Sequence, residues 1–431
     1  MPFAHLPEVL AKVTPLADRF VAAGHRLYLV GGIVRDQWLD HPLDASSDID
    51  LTTDADPTRT KALVADLADA LWTQGERFGT IGVRFDGMAI EITTHRAEDY
   101  DPDSRKPEVA FGDDVFGDLS RRDFTVNAMA IEIPDGTIVD PYRGVDDLVG
   151  GRLRTPLSPE ISFSDDPLRM LRAARFAARF DLGPSPELTA AATALRTRLG
   201  IVAVERIGDE LARLFGLPAP GVGVDFLVGT GLAAELLGLT EPEIATVGLG
   251  PVVDAVTDLD WRSRLAAFLL TYSTAVGLAD ARWVADAVVR LRLSKDDQRR
   301  IIDTARAAIA ALAINPAEAP SLRRWHASTG HHAPALSVAA AIEAHANTDA
   351  PAGHAGAVGQ ALHVLDDAEG LGDPGLIDGA SIMRLLDIEP GPDVGEAVDM
   401  LRDAFFEHGP ILQEDQERRL RDWWNNRTQT T

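Results

Sequence analysis

Along the first 155 residues the apolar positions switch repeatedly between two periods. "HRLYLVGG" (25–32), "DIDLTT" (48–53), "IGVRFDGMAIEITTHR" (81–96), "NAMAIEI" (127–133) and "GTIVDP" (136–141) alternate or run short and apolar, as strands do, and helical segments lie between them. Beyond residue 155 strand patterns nearly vanish, and alanine- and leucine-rich helical periodicity takes over. The pattern predicts an α+β head of about 155 residues followed by all-helical domains. Breaks are expected near "GLPAPGVG" (216–223) and "NTDAPAGHAG" (347–356), both rich in Gly, Pro and small residues. "AEDYDPDSRKPEVAFGDDVFGDLS" (97–120) is expected to be one long polar loop inside the head, of a length that suggests mobility or function.

Composition narrows the class. A chain of 431 residues, 45% hydrophobic and 25% charged, has room for several domains of an ordinary globular kind. It contains no cysteine, which excludes disulfides, thiolate metal sites and a cysteine nucleophile. The start, "MPFAHLPEVLAKVTPLADRF", lacks a basic n-region and a long apolar core, and no stretch approaches 18 uninterrupted apolar residues. No signal peptide and no membrane partner are expected, and the cytoplasm is the expected location. A net charge of −26 argues against binding nucleic acid through a uniformly basic surface. Only four of the 41 basic residues are lysine; the rest are arginine, suited to bidentate phosphate contacts, and they cluster in "RRDF", "RMLRAARFAARF", "DDQRRI", "LRRWH" and "ERRLRDWWNNR".

Asp48 and Asp50 stand two apart in an apolar strand, so both carboxylates share one face while Ile49 and Leu51 take the other. Like charges so close suit a hard divalent ion such as Mg²⁺, or else are an exposed pair of turn aspartates. "YLVGG" reads as a strand ending in Gly31 and Gly32 before a helix, where backbone N–H groups can approach an anion and Arg35 adds charge one turn on; a plain tight turn is the alternative. Glu91, in an alternating strand, is a third carboxylate or an exposed edge residue. "SRRDFTVNAMA" packs Arg121, Arg122, Asp123 and Asn127 together, a cationic pair for a triphosphate with an acceptor and donor for a ribose hydroxyl, or a charged loop capping the next helix. In "SFSDDPLRMLRAARF" a helix capped by Ser164 is expected, with Asp166 and Arg169 three apart on one face. They offer an acceptor and a donor fork that match cytosine and adenine but not uracil or guanine, or they form an intrahelical salt bridge. Arg172, Arg175 and Arg179 follow at helical spacing, a strip for phosphates or a solvated face.

In order and spacing, "GGIVRD", "DID", "EITTHR", "RRDFTVNA", "DPYRGVDDL", "DDPLRMLRAARF" and "ERIGDEL" resemble the class II CCA-adding enzymes and the bacterial poly(A) polymerases, members of the polymerase-β-like nucleotidyltransferases. The strong part of the likeness covers about residues 28–215, and "LIDGASIMRLLDIEPGPDVGEAVDML" (376–401) extends it into the tail. The resemblance implies a mixed-sheet catalytic head (1–155), a helical neck that selects the base (156–222), a helical body (223–350) and a tRNA-binding tail (351–431). It implies that Asp48 and Asp50 hold Mg²⁺ with Glu91 as a further catalytic carboxylate. Gly31, Gly32, Arg35, Arg121, Asp123, Asn127, Asp166, Arg169, Arg172 and Arg175 would then bind the nucleotide. The implied activity is addition of C, C and A from CTP and ATP to the 3′ end of tRNA, by in-line attack of the RNA hydroxyl on the α-phosphate. DNA is not an expected partner. CC-only, A-only and poly(A) synthesis share these motifs, and a non-catalytic RNA-binding protein of the same fold is the alternative from another class. Asp165 stands where the family usually has Glu. "WRSRLAAFLLTYSTAVG" (261–277) lacks the His-Asp pair that many long bacterial relatives carry for a phosphohydrolase.

Overall fold

The computed structural model describes residues 3–42, 49–98, 109–111, 114–239, 248–276, 281–345 and 351–428. Packing divides them into two compact units, one of the residues up to Val202 with Gly229–Glu235, the other of Ala203–Val228 with Leu236–Thr431.

The first unit contains α1 (Leu6–Ala22), β1 (Leu27–Val30), α2 (Gly32–Trp38), β2 (Ile49–Thr53), α3 (Pro57–Val64), β3 (Ala70–Trp72), β4 (Thr80–Phe85), β5 (Met88–Thr94), β6 (Arg96–Glu98), β7 (Val109–Phe111), α4 (Val115–Ser120), β8 (Ala130–Ile133), β9 (Ile138–Val139), α5 (Gly144–Val149), α6 (Pro159–Asp165), α7 (Arg169–Phe180) and α8 (Pro186–Leu195). Seven strands form one sheet in the order β3-β4-β5-β2-β1-β8-β9. Only β2 and β5 pair in parallel, so the sheet is mixed, as expected.

Strict alternation gives the sheet two different faces. Leu27, Leu29, Ile49, Leu51, Ile81, Val83, Ile90 and Ile92 point to one, where Val9, Val13, Leu16 and Phe20 of α1 and Val64 of α3 complete a closed apolar core. Tyr28, Val30 and Ala130 point to the other and meet Val115 and Leu119 of α4 in a smaller cluster. That second face leaves room for polar side chains, and the candidate site lies on it.

The single loop expected over 97–120 is partly regular structure. Strands β6 and β7 pair antiparallel, and α4 follows with Asp114 as its N-cap, its carboxylate accepting from Phe116 N at 3.0 Å. Three-residue strands are too short to show a period, which is why the pattern missed them. Residues 99–108 lie outside the described residues.

In the second unit the helix Trp261–Ala275 is buried all round, at every residue from Ser263 to Ser273. It packs against the helices Val204–Phe215, Lys295–Ala313 and His332–His345. Its one buried cation, Arg264, donates to the carbonyl oxygens of Phe215 (3.2 Å), Leu217 and Pro218 (3.0 Å), capping a helix end whose carbonyls lack internal partners. The chain turns there over 216–220, between the helices Val204–Phe215 and Gly221–Gly229. Toward the C-terminus, Ile382, Leu386, Ala397, Leu401 and Leu420 join three helices around a separate small core.

Candidate active site

The parallel register of β2 and β5 sets Asp50 directly beside Glu91. Their strand neighbours Ile49, Leu51, Ile90 and Ile92 are all in the apolar core, so both carboxylates project from the opposite face. Asp48 lies outside the described residues. Among the described residues no group of three acidic, His or Cys side chains forms a metal cluster. Asp50 and Glu91 nonetheless supply adjacent hard oxygen donors of the kind Mg²⁺ takes.

Next to them β1 ends at Gly31, whose φ of 73° and ψ of −131° are open to glycine and strained for other residues. Its N–H donates to Met129 O at 3.3 Å, so this donor serves the sheet. A β-carbon on Gly31 would sit 2.7 Å from Arg122 Nη1 and 3.9 Å from Asp50 Oδ2. Glycine thus lets a guanidinium lie against the backbone beside the carboxylate. Arg122 in turn donates to Asp118 at 3.3 Å, an i,i+4 pair whose spacing stands in "DLSRR".

Asp123 anchors a buried polar network. It is 8% exposed; one carboxylate oxygen accepts from Phe124 N and Asn127 Nδ2, each at 2.9 Å, and the other from Arg172 Nε (2.9 Å) and Nη2 (2.5 Å). Burial alone would raise its pKa, but Arg172, Asn127 and the Phe124 N–H overcome that and hold the carboxyl below its ordinary value. Arg35 supports the network from behind. Only 4% exposed, it donates to Asn127 Oδ1 at 2.5 Å and to Asp36 Oδ1 through Nε (2.9 Å) and Nη2 (2.8 Å), and it lies 4.2 Å from the Phe180 ring centre. Burial pushes its pKa down against the pull of Asp36. The Arg35 donor fork is engaged by Asp36 and Asn127 within the protein, where it fixes Asn127. Phe176 and Phe180, which stack around it, carry no sequence signal beyond their place on an apolar helix face.

The segment read as one helix from Ser164 is two. Helix α6 begins after Ser158, whose hydroxyl accepts from Ile161 N, and ends at Asp165; α7 starts at Arg169. Ser164 is inside α6 and is not a cap. The break follows from Pro167, which disfavours the helical region for the residue before it, and Asp166 is indeed extended at φ −135°. Asp166 and Arg169 consequently do not share a helix face. Asp166 accepts from Leu168 N at 3.1 Å, while Arg169 donates to Ser162 Oγ (2.9 Å) and to Arg121 O (2.5 Å), which ties α7 to the Arg121–Asp123 turn.

Nor do Arg172, Arg175 and Arg179 make one open strip. Arg172 turns to Asp123, Arg175 is 6% exposed with its guanidinium 4.9 Å from the Phe176 ring, and Arg179 alone is exposed. The other arginine clusters carry local counter-charges. Arg299 and Arg300 both pair with Asp296, Arg418 with Asp415 and Arg421 with Glu417, all at helical spacing and exposed.

Residues 27–154 match the family model described as the poly A polymerase head domain, and residues 181–246 match one described as a probable RNA and SrmB-binding site of polymerase A. Among curated relatives, the CCA-adding enzyme of Bacillus subtilis is 36% identical over 234 residues, 54% of this chain and 57% of that protein. The CCA-adding enzyme of Lactobacillus gasseri is 35% identical over 239 residues, 55% and 58% of the two chains. The matched region spans somewhat over half the length of these relatives. The crystal structure of the Bacillus stearothermophilus CCA-adding enzyme in complex with CTP superposes with a TM-score of 0.70 at 26% identity, covering 98% of this chain and 99% of that one. A Thermotoga maritima CCA-adding enzyme complexed with tRNA shares the fold at a TM-score of 0.68 and 20% identity, over 96% and 95% of the chains.

Proposed function

We propose that this chain, which matches the poly A polymerase head domain over residues 27–154 and resembles the CCA-adding enzymes, adds C, C and A to the 3′ end of tRNA, with CTP and ATP as substrates. The observation that carries this reading is Asp50 beside Glu91 on the open face of the sheet, with Gly31, Arg122 and the Asp123 network next to them. Asp50, Glu91 and Asp48 are the proposed holders of Mg²⁺. A divalent cation bound there would lower the pKa of the RNA 3′-hydroxyl and neutralise charge on the departing pyrophosphate.

The chain's own residues supply positioning and electrostatics, which dominate phosphoryl transfer. Arg121 and Arg122 are the proposed grip on the triphosphate. Asp123, kept ionised by Arg172 and oriented by Asn127, is the proposed acceptor for a ribose hydroxyl, and Arg35 fixes that pair. Asp166 and Arg169 stand at the α6–α7 break, where tilting α7 would move both; we assign them to base selection, with Arg169 borrowed from Ser162 when a base arrives. Head (1–155), neck (156–222), body (223–350) and tail (351–431) are the proposed functional divisions, with RNA contacts in the last two. Action on tRNA makes the cytoplasm the proposed location, and among the described residues no helix is long and apolar enough to cross a membrane.

The test is incubation with tRNA transcribed without its terminus, labelled CTP or ATP, and Mg²⁺. Three successive additions in the order C, C, A are expected, with none in the Asp50→Ala variant. A long run of A from ATP alone would assign poly(A) synthesis, two additions from CTP alone a CC-only enzyme, and one A on a CC end an A-only enzyme. No incorporation under any of these conditions would refute the reading.

A further inference from the structure

The carboxylate face of the sheet continues past Glu91 toward the β3 edge. Opposite Glu91 on β4 stands Gly82, and opposite Gly82 on β3 stands Trp72. Gly82 has a packing reason to be glycine, because a β-carbon there would fall 1.9 Å from Trp72 Nε1. The indole therefore covers the strand at Gly82, in the row that leads to Asp50. The turn between β3 and β4 adds Phe78, 47% exposed, with the Arg77 guanidinium 4.5 Å from its ring centre. Trp72, Gln74, Phe78, Thr80 and Glu91, with the two glycines between them, line a pocket of about 380 Å³. A stacking surface, an amide and a cation at the rim are the means by which proteins hold an unpaired nucleobase.

We propose that this pocket seats the base of the 3′-terminal nucleotide of the acceptor RNA, which sets that nucleotide's 3′-hydroxyl beside Asp50 and Glu91. The proposal rests on the nucleotidyltransferase reading. Direction decides between the acceptor and the incoming nucleotide. In phosphoryl transfer the attacking and leaving oxygens lie roughly in line, on opposite sides of the phosphorus. Arg122 lies against Gly31 at the end of β1, and Asp123 and Asn127 precede β8, so the grip on triphosphate and ribose lies on the β1–β8 side of the carboxylates. The Trp72 pocket lies on the other side, across β5 and β4. A nucleophile entering from that side meets the α-phosphate opposite the departing pyrophosphate.

The experiment compares two acceptor tRNAs, identical except that one carries an abasic sugar, with its hydroxyl intact, at the 3′ terminus. Phe78→Ala is the primary variant because the ring is half exposed; Trp72→Ala is the second, with its melting curve checked. Equilibrium binding is measured by anisotropy without nucleotide, and kcat/KM by incorporation. Losing one stacked base weakens binding by roughly 5- to 150-fold. Phe78→Ala is expected to weaken the normal acceptor by such a factor, to leave the abasic acceptor unchanged and to leave the KM for CTP and ATP unchanged. Equal effects on both acceptors, or none, would overturn the proposal, as would a raised KM for CTP or ATP alone, which would give the pocket to the incoming base. If the wild-type protein adds no nucleotide to any RNA, the function proposed above falls. The binding comparison then still decides whether the pocket takes a terminal base.

Discussion

Alanine placed at Gly31 and, separately, at Gly32 turns the paired glycines into a test of the site geometry. Gly31 has φ 73° and ψ −131°, a region in which a β-carbon adds about 1–3 kcal/mol of strain. The new methyl would also lie 2.7 Å from Arg122 Nη1. Arg122 is long and can swing away, but only by giving up its 3.3 Å pair with Asp118, worth up to about 1 kcal/mol for a partly exposed pair. Together these amount to about 1–4 kcal/mol. At roughly 2–4 °C per kcal/mol for a unit of this size, the head should melt roughly 2–16 °C lower. Gly32 opens α2 without a left-handed φ, and the nearest atom to its new methyl is Arg35 Nη2 at 3.4 Å, an ordinary contact. Gly32→Ala should be neutral or gain up to about 1 kcal/mol, as alanine replaces glycine in a helix. The assay is thermal melting followed by circular dichroism, with the head transition separated from that of the second unit, and kcat/KM for CTP measured in parallel. Because Gly31→Ala displaces Arg122 from beside Asp50, its catalytic loss should exceed what partial unfolding at the assay temperature explains. Equal melting temperatures for the two variants, or full activity in Gly31→Ala, would refute the assignment of Gly31 as the residue that lets Arg122 approach the carboxylate.

Three further outcomes are expected. Asp123→Ala strands Arg172 and Asn127; a broken buried pair costs about 3–5 kcal/mol, and because the Arg172 side chain is 30% exposed the low end is expected, read by urea unfolding together with a raised KM for CTP. Since Asp123 is held below its ordinary carboxyl value of 3.8, its contribution is present above that pH and is lost as pH falls through the folded value, so the variant's stability should converge on the wild type's in acid. His95 is fully buried with Thr52 Oγ1 2.8 Å from Nδ1, and burial holds its pKa below the ordinary 6.5 against the pull of Asp118, Asp54 and Asp114. The fold then binds its proton more weakly than the unfolded chain, so head stability should fall as pH drops below about 6.5, and His95→Asn should flatten that slope between pH 7.5 and 5.5; a parallel fall in both proteins would count against it. Arg299→Ala with Arg300→Ala should weaken tRNA binding without altering which nucleotide is added and should lower the log–log salt slope by a little under one unit for each phosphate these arginines neutralise, whereas unchanged affinity would confine both to their pairs with Asp296.

Local pattern makes much of this protein legible in its sequence. The change from alternating to helical periodicity near residue 155 marks where the sheet ends, because side-chain direction within one element depends only on its own backbone period. For the same reason "DIDLTT" could be read as a strand with Asp50 turned away from Ile49 and Leu51, and "VGG" as a strand end needing an unusual backbone. What tertiary structure decided was every relation between elements. Register across β2, β5, β4 and β3 lines up Asp50, Glu91, Gly82 and Trp72, and no one of those strands encodes it. Arg35 reads as an open cation in "GGIVRD" but is closed in by Phe180, Asp36 and Asn127, the last of them 92 residues away. Asp166 and Arg169 are three apart in sequence, yet Pro167 turns them to different hydrogen-bond partners, a restriction the motif contained and the helical pattern around it hid. Periodicity records which face a residue takes. Which partner waits on that face depends on residues distant in sequence, and only folding brings those into place.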